Sequence, residues 1–154
     1  MPDGFRHLVR RRVAGGVGNG RTFAAALLAG ADGAWLGTPF LATEEAVEID
    51  DDYKAAIVAS DGGDTVFTRA YDIVSGMPWP AAIGARVRRD AFTNEWAARE
   101  DELRQRREEV STGQPLYYGQ SAAFVDQVRS AGDVVRSLCG EAEKLLRQRP
   151  PALF

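Results

Sequence analysis

Val13–Phe40 reads VAGGVGNGRTFAAALLAGADGAWLGTPF, and the order of residue types in it decides the fold. Val13 to Val17 is a short apolar run that contains the pair Gly15 and Gly16, as expected of a buried parallel strand that must turn sharply at its end. The turn continues through Gly18, Asn19 and Gly20. Thr22 to Ala29 is rich in Ala and Leu and predicts a helix, with Gly30 placed to stop it. Gly33 to Gly37, carrying Trp35 and Leu36, predicts a second strand, followed at once by Thr38 and Pro39. Strand, crossover helix and strand in so few residues form a right-handed βαβ unit with parallel neighbours. Parallel strands end on the same side, so the N–H groups after Gly16 and after Gly37 lie ~4.8 Å apart, one strand spacing, and converge on a single anion. Glycine suits both loops because no Cβ blocks the approaching oxygens and positive φ costs little.

Glycines at strand ends often serve only as turns, so the kind of loop matters. Gly16, Gly18 and Gly20 do not have the G-x-G-x-x-G spacing of a dinucleotide fold, and no acidic residue ends the second strand to hold a ribose. No Gly-Lys-Ser/Thr follows a glycine loop, which excludes a Walker P-loop. The remaining phosphate site of this shape is the one built from the last two strand-to-helix loops of a (β/α)8 barrel.

At these residues the chain resembles a known family. AGGVGNGRTFAAALLAGADGAWLGTPFLATEEA is similar to the C-terminal part of the nitronate monooxygenases, formerly called 2-nitropropane dioxygenases. DDYKAAIVAS, DTVFTRAYDIVSGMPWPA, RRDAFTNEW, PLYYGQSAAFV and AGDVVRSLCGEAEKLL follow in the family's order, so the resemblance covers Val13 to Leu146. It implies an FMN-dependent (β/α)8 TIM barrel whose strands seven and eight hold the flavin phosphate, with Gly15, Gly16, Gly37 and Thr38 at the matching positions. Backbone N–H groups do most of the holding, the Thr38 hydroxyl adds a donor, and a following helix N-terminus adds partial positive charge. Where the family commonly has an arginine after the threonine, this chain has Pro39. That change removes a cation and an N–H, so weaker phosphate affinity is expected.

The implied activity is oxidation of an alkyl nitronate with O2 to a carbonyl compound and nitrite, and the alternative within flavin barrels is an FMN-dependent enoyl-acyl-carrier-protein reductase. The family's catalytic base is a histidine in a glycine-rich loop upstream of everything matched here. The chain has one histidine, His7, in GFRHLVRRR without those glycines, and the role is not transferred to it. No catalytic residue and no metal ligand are therefore assigned. The segment Tyr118, Gly119, Gln120 and Ser121 matches one near the family's active site, where Gln120 has a cofactor contact and a helix entry as competing readings.

A full barrel needs roughly 250 residues, and this chain has 154. The expected fold class is therefore α/β, a C-terminal barrel fragment with a mostly helical extension. Its expected parts are a non-family segment at 1–12, a βαβα unit with the phosphate loops at 13–60, a mostly helical region at 61–146 and a tail at 147–154. The expectation is of a truncated chain: a remnant, a late start or a frameshift scar, with a separate N-terminal barrel piece or an oligomer as possible partners. The non-enzymatic alternative is a non-catalytic remnant that binds phosphate or FMN.

Hydrophobic residues make up 45% and charged residues 27% of the chain, which suits a globular domain. No apolar run approaches the ~20 residues of a membrane span, and the basic start lacks the apolar core of a signal peptide. A cytoplasmic protein is expected. The formal net charge of −3 argues against a nucleic-acid partner despite Arg10 to Arg12. Cys139 is a single cysteine, which excludes an internal disulfide, and is expected to be a packing residue.

The rest of the chain reads more coarsely. Thr43, Glu44 and Glu45 predict a helix start, Tyr53 to Ala59 a short helix, and Asp64 to Tyr71 an exposed strand. In the charged stretch Ala85 to Val110, Phe92, Trp96 and Leu103 share one helical face, a packing seam. Ser121 to Val128 and Asp133 to Leu146 predict helices, the second opened by Ser130 and Asp133 as a capping pair.

Overall fold

The computed structural model describes residues 11–148. β1 (Arg12–Ala14) and β2 (Gly33–Trp35) pair in parallel, with Val13 beside Ala34, and α1 (Gly20–Leu28) crosses between them. Asn19 sets the start of α1. Its side chain accepts from the Thr22 N–H at 3.0 Å while Thr22 Oγ1 takes the N–H groups of Gly18 and Asn19, a reciprocal cap that satisfies donors the helix cannot. Gly30, at φ +95°, ends the crossover as the sequence predicts.

Beyond β2 the chain makes the single turn α2 (Thr38–Leu41), then α3 (Asp51–Val58), capped by the Asp50 side chain on the Tyr53 N–H. The helix expected at Thr43 to Glu45 does not form. The helical turn begins earlier, at Thr38, where Pro39 fits the first turn of a helix because its missing N–H has no intrahelical acceptor. Glu45 instead accepts from the Ala131 N–H at 2.8 Å, at the start of the last helix.

β3 (Thr65–Thr68) and β4 (Ala85–Arg88) form an antiparallel pair around α4 (Ala70–Val74). β4 corrects the helical reading of that stretch, and the region 61–146 is less helical than expected. The sequence Ala-Arg-Val-Arg alternates, and Val87 is buried against β3 while the arginines keep their charges nearer solvent. The charged stretch beyond it divides into α5 (Ala91–Trp96) and α6 (Glu100–Arg106). Trp96 and Leu103 pack with Ala70 and Ile73, so the predicted seam exists across two helices.

Gln120–Phe124 is a 3-10 turn, shorter than the predicted helix, and α7 (Ala131–Gln148) closes the fold, extending past the expected start of the tail. The Ser130 hydroxyl accepts the Asp133 N–H, so the predicted pair does cap α7. α7 packs along α1, burying Val134, Leu138 and Ala142. Cys139 is exposed, not a packing residue, because it lies off that buried stripe. A second core joins Ala42, Tyr53, Ile57, Tyr118, Ala122 and Val125. Trp35 and Leu28 remain about 70% exposed. His7 lies outside the described residues.

Candidate functional site

The register of β1 and β2 builds the site. β1 and β2 run parallel with Ala14 beside Trp35 at their C-terminal ends, so Gly15–Gly16 and Leu36–Thr38 leave the sheet on the same side. Gly15 and Gly16 have φ of +81° and +72°, a left-handed turn that any Cβ would strain. Among the described residues, no atom lies within 4 Å of a Cβ built on Gly15, Gly16 or Gly37, so the Cβ side of these glycines is uncovered there. Among the described residues, no acceptor takes the N–H groups of Gly16, Gly37 or Thr38. Two glycine-containing loops thus follow parallel strand ends, with backbone donors that no described acceptor takes. That arrangement fits an anion the size of a phosphate.

Gly15 and Gly16 directly follow β1, and Gly37 and Thr38 lie two and three residues beyond β2, but the supports around them differ from expectation. Gly37 precedes α2 in a right-handed conformation, and α2 is four residues long. So short a helix has little macrodipole, and the expected contribution of a helix N-terminus is correspondingly small. The α1 N-terminus is also committed elsewhere, since the Gly20 N–H donates to Glu141 Oε2 at 2.9 Å. Backbone N–H groups of the loops are left as the main donors.

Thr38 is buried, and its Oγ1 accepts the Gly119 N–H at 2.9 Å. A hydroxyl carries one proton and two acceptor sites, so this contact leaves the Thr38 O–H able to donate. Gly119 belongs to the segment that sequence reading placed near the site through Gln120. The side chain of Gln120 is exposed, and its backbone carbonyl packs against Gly62. The sequence signal for Gly119 was present in Tyr-Tyr-Gly-Gln, but only the fold shows which atom reaches Thr38.

Tyr118, nearly fully buried, donates its hydroxyl to Asp64 Oδ2 at 2.7 Å, and Asp64 Oδ1 accepts from the Ser60 hydroxyl. Burial and the adjacent carboxylate push the Tyr118 phenol up to about 12. In the unfolded chain it ionises near its ordinary 10. A raised folded value means that the neutral phenol contributes its full stability below about pH 10 and loses it as pH rises through about 12. Denaturation midpoints of the native chain should therefore fall faster between those values than midpoints of Tyr118→Phe. Equal slopes would show that Tyr118 does not titrate with folding. On the far side of β3, Tyr71 donates to Asp90, and burial with that carboxylate raises the phenol. Burial alone would raise Asp90, but hydrogen bonds from Thr93, Tyr71 and Phe92 outweigh it and hold the carboxyl below its usual range. Asp90 is also the residue that caps α5, accepting the Thr93 N–H.

Among the described residues no group of three or more His, Cys, Asp or Glu side chains has the placement to hold a metal, and no helix is long and apolar enough to cross a membrane.

The model of the family described as nitronate monooxygenase matches residues 13–141. The chain is 34% identical to the nitronate monooxygenase npaC of Metarhizium robertsii over 148 residues, covering 86% of this chain and 41% of that protein. It is 31% identical to a nitronate monooxygenase of Neurospora crassa over 144 residues, covering 88% of this chain and 38% of that one. Among solved structures it is similar to FabK from Thermotoga maritima, with a TM-score of 0.71 and 28% identity over 92% of this chain and 46% of that chain. The chain therefore spans less than half the length of these relatives. The family match extends from the glycine loops of β1 and β2 into α7, and this chain belongs to the nitronate monooxygenase family.

Proposed function

We propose that the chain carries the phosphate end of an FMN site in a nitronate monooxygenase, corresponding to the last two strand-to-helix units of a (β/α)8 barrel. The observation that supports this reading most is the parallel pairing of β1 and β2, whose C-terminal ends lead into Gly15–Gly16 and Gly37–Thr38 on the same side, with no described residue near a Cβ built on any of the three glycines. The N–H groups of Gly16, Gly37 and Thr38 and the Thr38 hydroxyl would hold the phosphate oxygens. Gly15 allows the sharp turn that aims Gly16. Pro39 offers no N–H and no cation, so affinity rests on neutral donors.

When bound, the flavin supplies the redox chemistry by which an alkyl nitronate and O2 give a carbonyl compound and nitrite. The protein's contribution at these residues is binding and orientation. No base is assigned, because the one histidine, His7, sits outside the glycine loops. An FMN-dependent enoyl-acyl-carrier-protein reductase shares the paired loops and is the competing enzymatic reading. The downstream segments Asp64–Arg69 and Met77–Pro80, read as family segments, favour the nitronate enzyme.

Purifying the intact chain and titrating it with FMN and with riboflavin tests the reading. FMN should bind more tightly, since only FMN carries the phosphate, and equal affinity would overturn it. The purified chain should release little or no nitrite from propionate 3-nitronate or a nitronate of nitropropane. Robust release would mean that a base is present and that the assignment of the phosphate end alone is wrong.

A further inference from the structure

Thr38 is held by a residue 81 positions away in sequence, and the segment that supplies this contact is pinned at successive residues. Leu116 O accepts the Arg88 N–H at 2.9 Å and Tyr117 O accepts the Tyr53 hydroxyl at 2.9 Å. The Tyr118 hydroxyl reaches Asp64, and the Gly119 N–H reaches Thr38. We propose that Tyr118 is a positioning residue for the cofactor phosphate: anchored on Asp64, it fixes the Gly119 N–H on Thr38 Oγ1 and so directs the Thr38 O–H into the cradle. This rests on the phosphate reading above.

The chemistry of the two contacts sets the direction. A backbone N–H only donates, so Thr38 Oγ1 must accept from Gly119 and its own proton is left for another acceptor. A threonine hydroxyl without that contact is free to donate back to nearby carbonyls, a common alternative for this side chain. Holding Gly119 in place occupies one acceptor site of Thr38 Oγ1 and so narrows the directions in which Thr38 can donate. Tyr118 can hold it firmly because its ring is buried and its hydroxyl bonds to a carboxylate, a stronger partner than a neutral oxygen. Asp64 is itself oriented by the Ser60 hydroxyl, which also accepts the Gly62 N–H at 3.0 Å. The effect of Tyr118 on the phosphate thus passes through Gly119 and Thr38, with no contact of its own.

The test measures FMN and riboflavin affinity for the native chain, Thr38→Val, Tyr118→Phe and the double variant. Thr38→Val should weaken FMN on the order of tenfold, the effect of one hydrogen bond to a charged group. Tyr118→Phe should weaken FMN about threefold, leave riboflavin unchanged, and cause no further loss when Thr38 is already valine. A purely structural role would weaken both ligands and add to the Thr38→Val loss. If the native chain shows no preference for FMN over riboflavin, the phosphate reading fails and this proposal with it. If the preference is present and Tyr118→Phe retains native FMN affinity, the positioning role alone is overturned. Amide exchange at Gly119 gives a readout that needs no ligand and no change at Tyr118: it should be faster in Thr38→Val than in the native chain, and unchanged exchange overturns the proposal.

Discussion

Replacing Gly62 by alanine is expected to be among the most destabilising single changes in this chain, by about 3 kcal/mol or more. Gly62 has φ +77°, where an L side chain costs roughly 1–2 kcal/mol from backbone sterics alone. The larger effect is contact. A Cβ at this position would lie 2.4 Å from the Gln120 carbonyl oxygen and 3.2 Å from Ala123 Cβ. The first of these is backbone, so it cannot swing aside, and the 3-10 turn Gln120–Phe124 must move away from the Ser60–Asp64 loop. That movement separates Ala122, fully buried, from its partners Ile57 and Tyr118. It also draws Gly119 from Thr38, so FMN affinity should fall together with the urea midpoint. Gly113→Ala is the control, since its Cβ meets nothing within 4 Å, and it should stay within about 0.5 kcal/mol of the native chain. Comparable midpoints for the two variants would show that the Gly62 contact is not required.

Gly20→Ala is expected to have the second large effect, at the other side of the fold. Gly20 is the first residue of α1 and is buried where α1 meets α7. Its Cβ would lie 2.4 Å from Glu141 Cβ and 2.7 Å from the Ala142 backbone N. Alanine is a better helix former than glycine, by up to about 1 kcal/mol, so propensity alone predicts stabilisation. Overpacking opposes it: separating two helices that pack without slack costs about 1–3 kcal/mol, and here the Gly20 N–H would also lose its bond to Glu141. The clash should win, and the net loss should appear as a lower midpoint. A midpoint equal to or above the native value would mean that α7 shifts at little cost.

These two glycines show what single-sequence reading cannot separate. Gly15, Gly16, Gly20 and Gly62 look alike in the sequence, where each is a residue near a turn. Gly15 and Gly16 are required by their own backbone conformation and face open space, whereas Gly20 is required by a neighbouring helix and Gly62 by both conformation and contact. Local patterns were legible where the deciding interactions are local. The helix between Gly20 and Gly30 and the Ser130–Asp133 cap follow from residues within a few positions of each other, and the parallel pair follows from the short helical crossover that joins its strands. β4 was not legible. Ala85–Arg88 lies in a run of charged residues that suits a helix, and only pairing with Thr65–Thr68, some twenty residues earlier, makes it a strand.

The same division holds for the candidate site. The sequence by itself determined the two parallel strands and the common side of the glycine loops that follow them, because a βαβ unit of fixed handedness leaves few placements for its strand ends. Only the tertiary structure decided how those loops are supported: the short α2 with little dipole, the α1 N-terminus taken by Glu141, and Thr38 held from Gly119 through the Tyr118–Asp64 pair. The contacts of Gly20 with Glu141, Thr38 with Gly119 and Tyr118 with Asp64 each depend on a partner far away in sequence. Contacts of that kind are set by how the helices and strands pack together, which no local pattern of residues encodes.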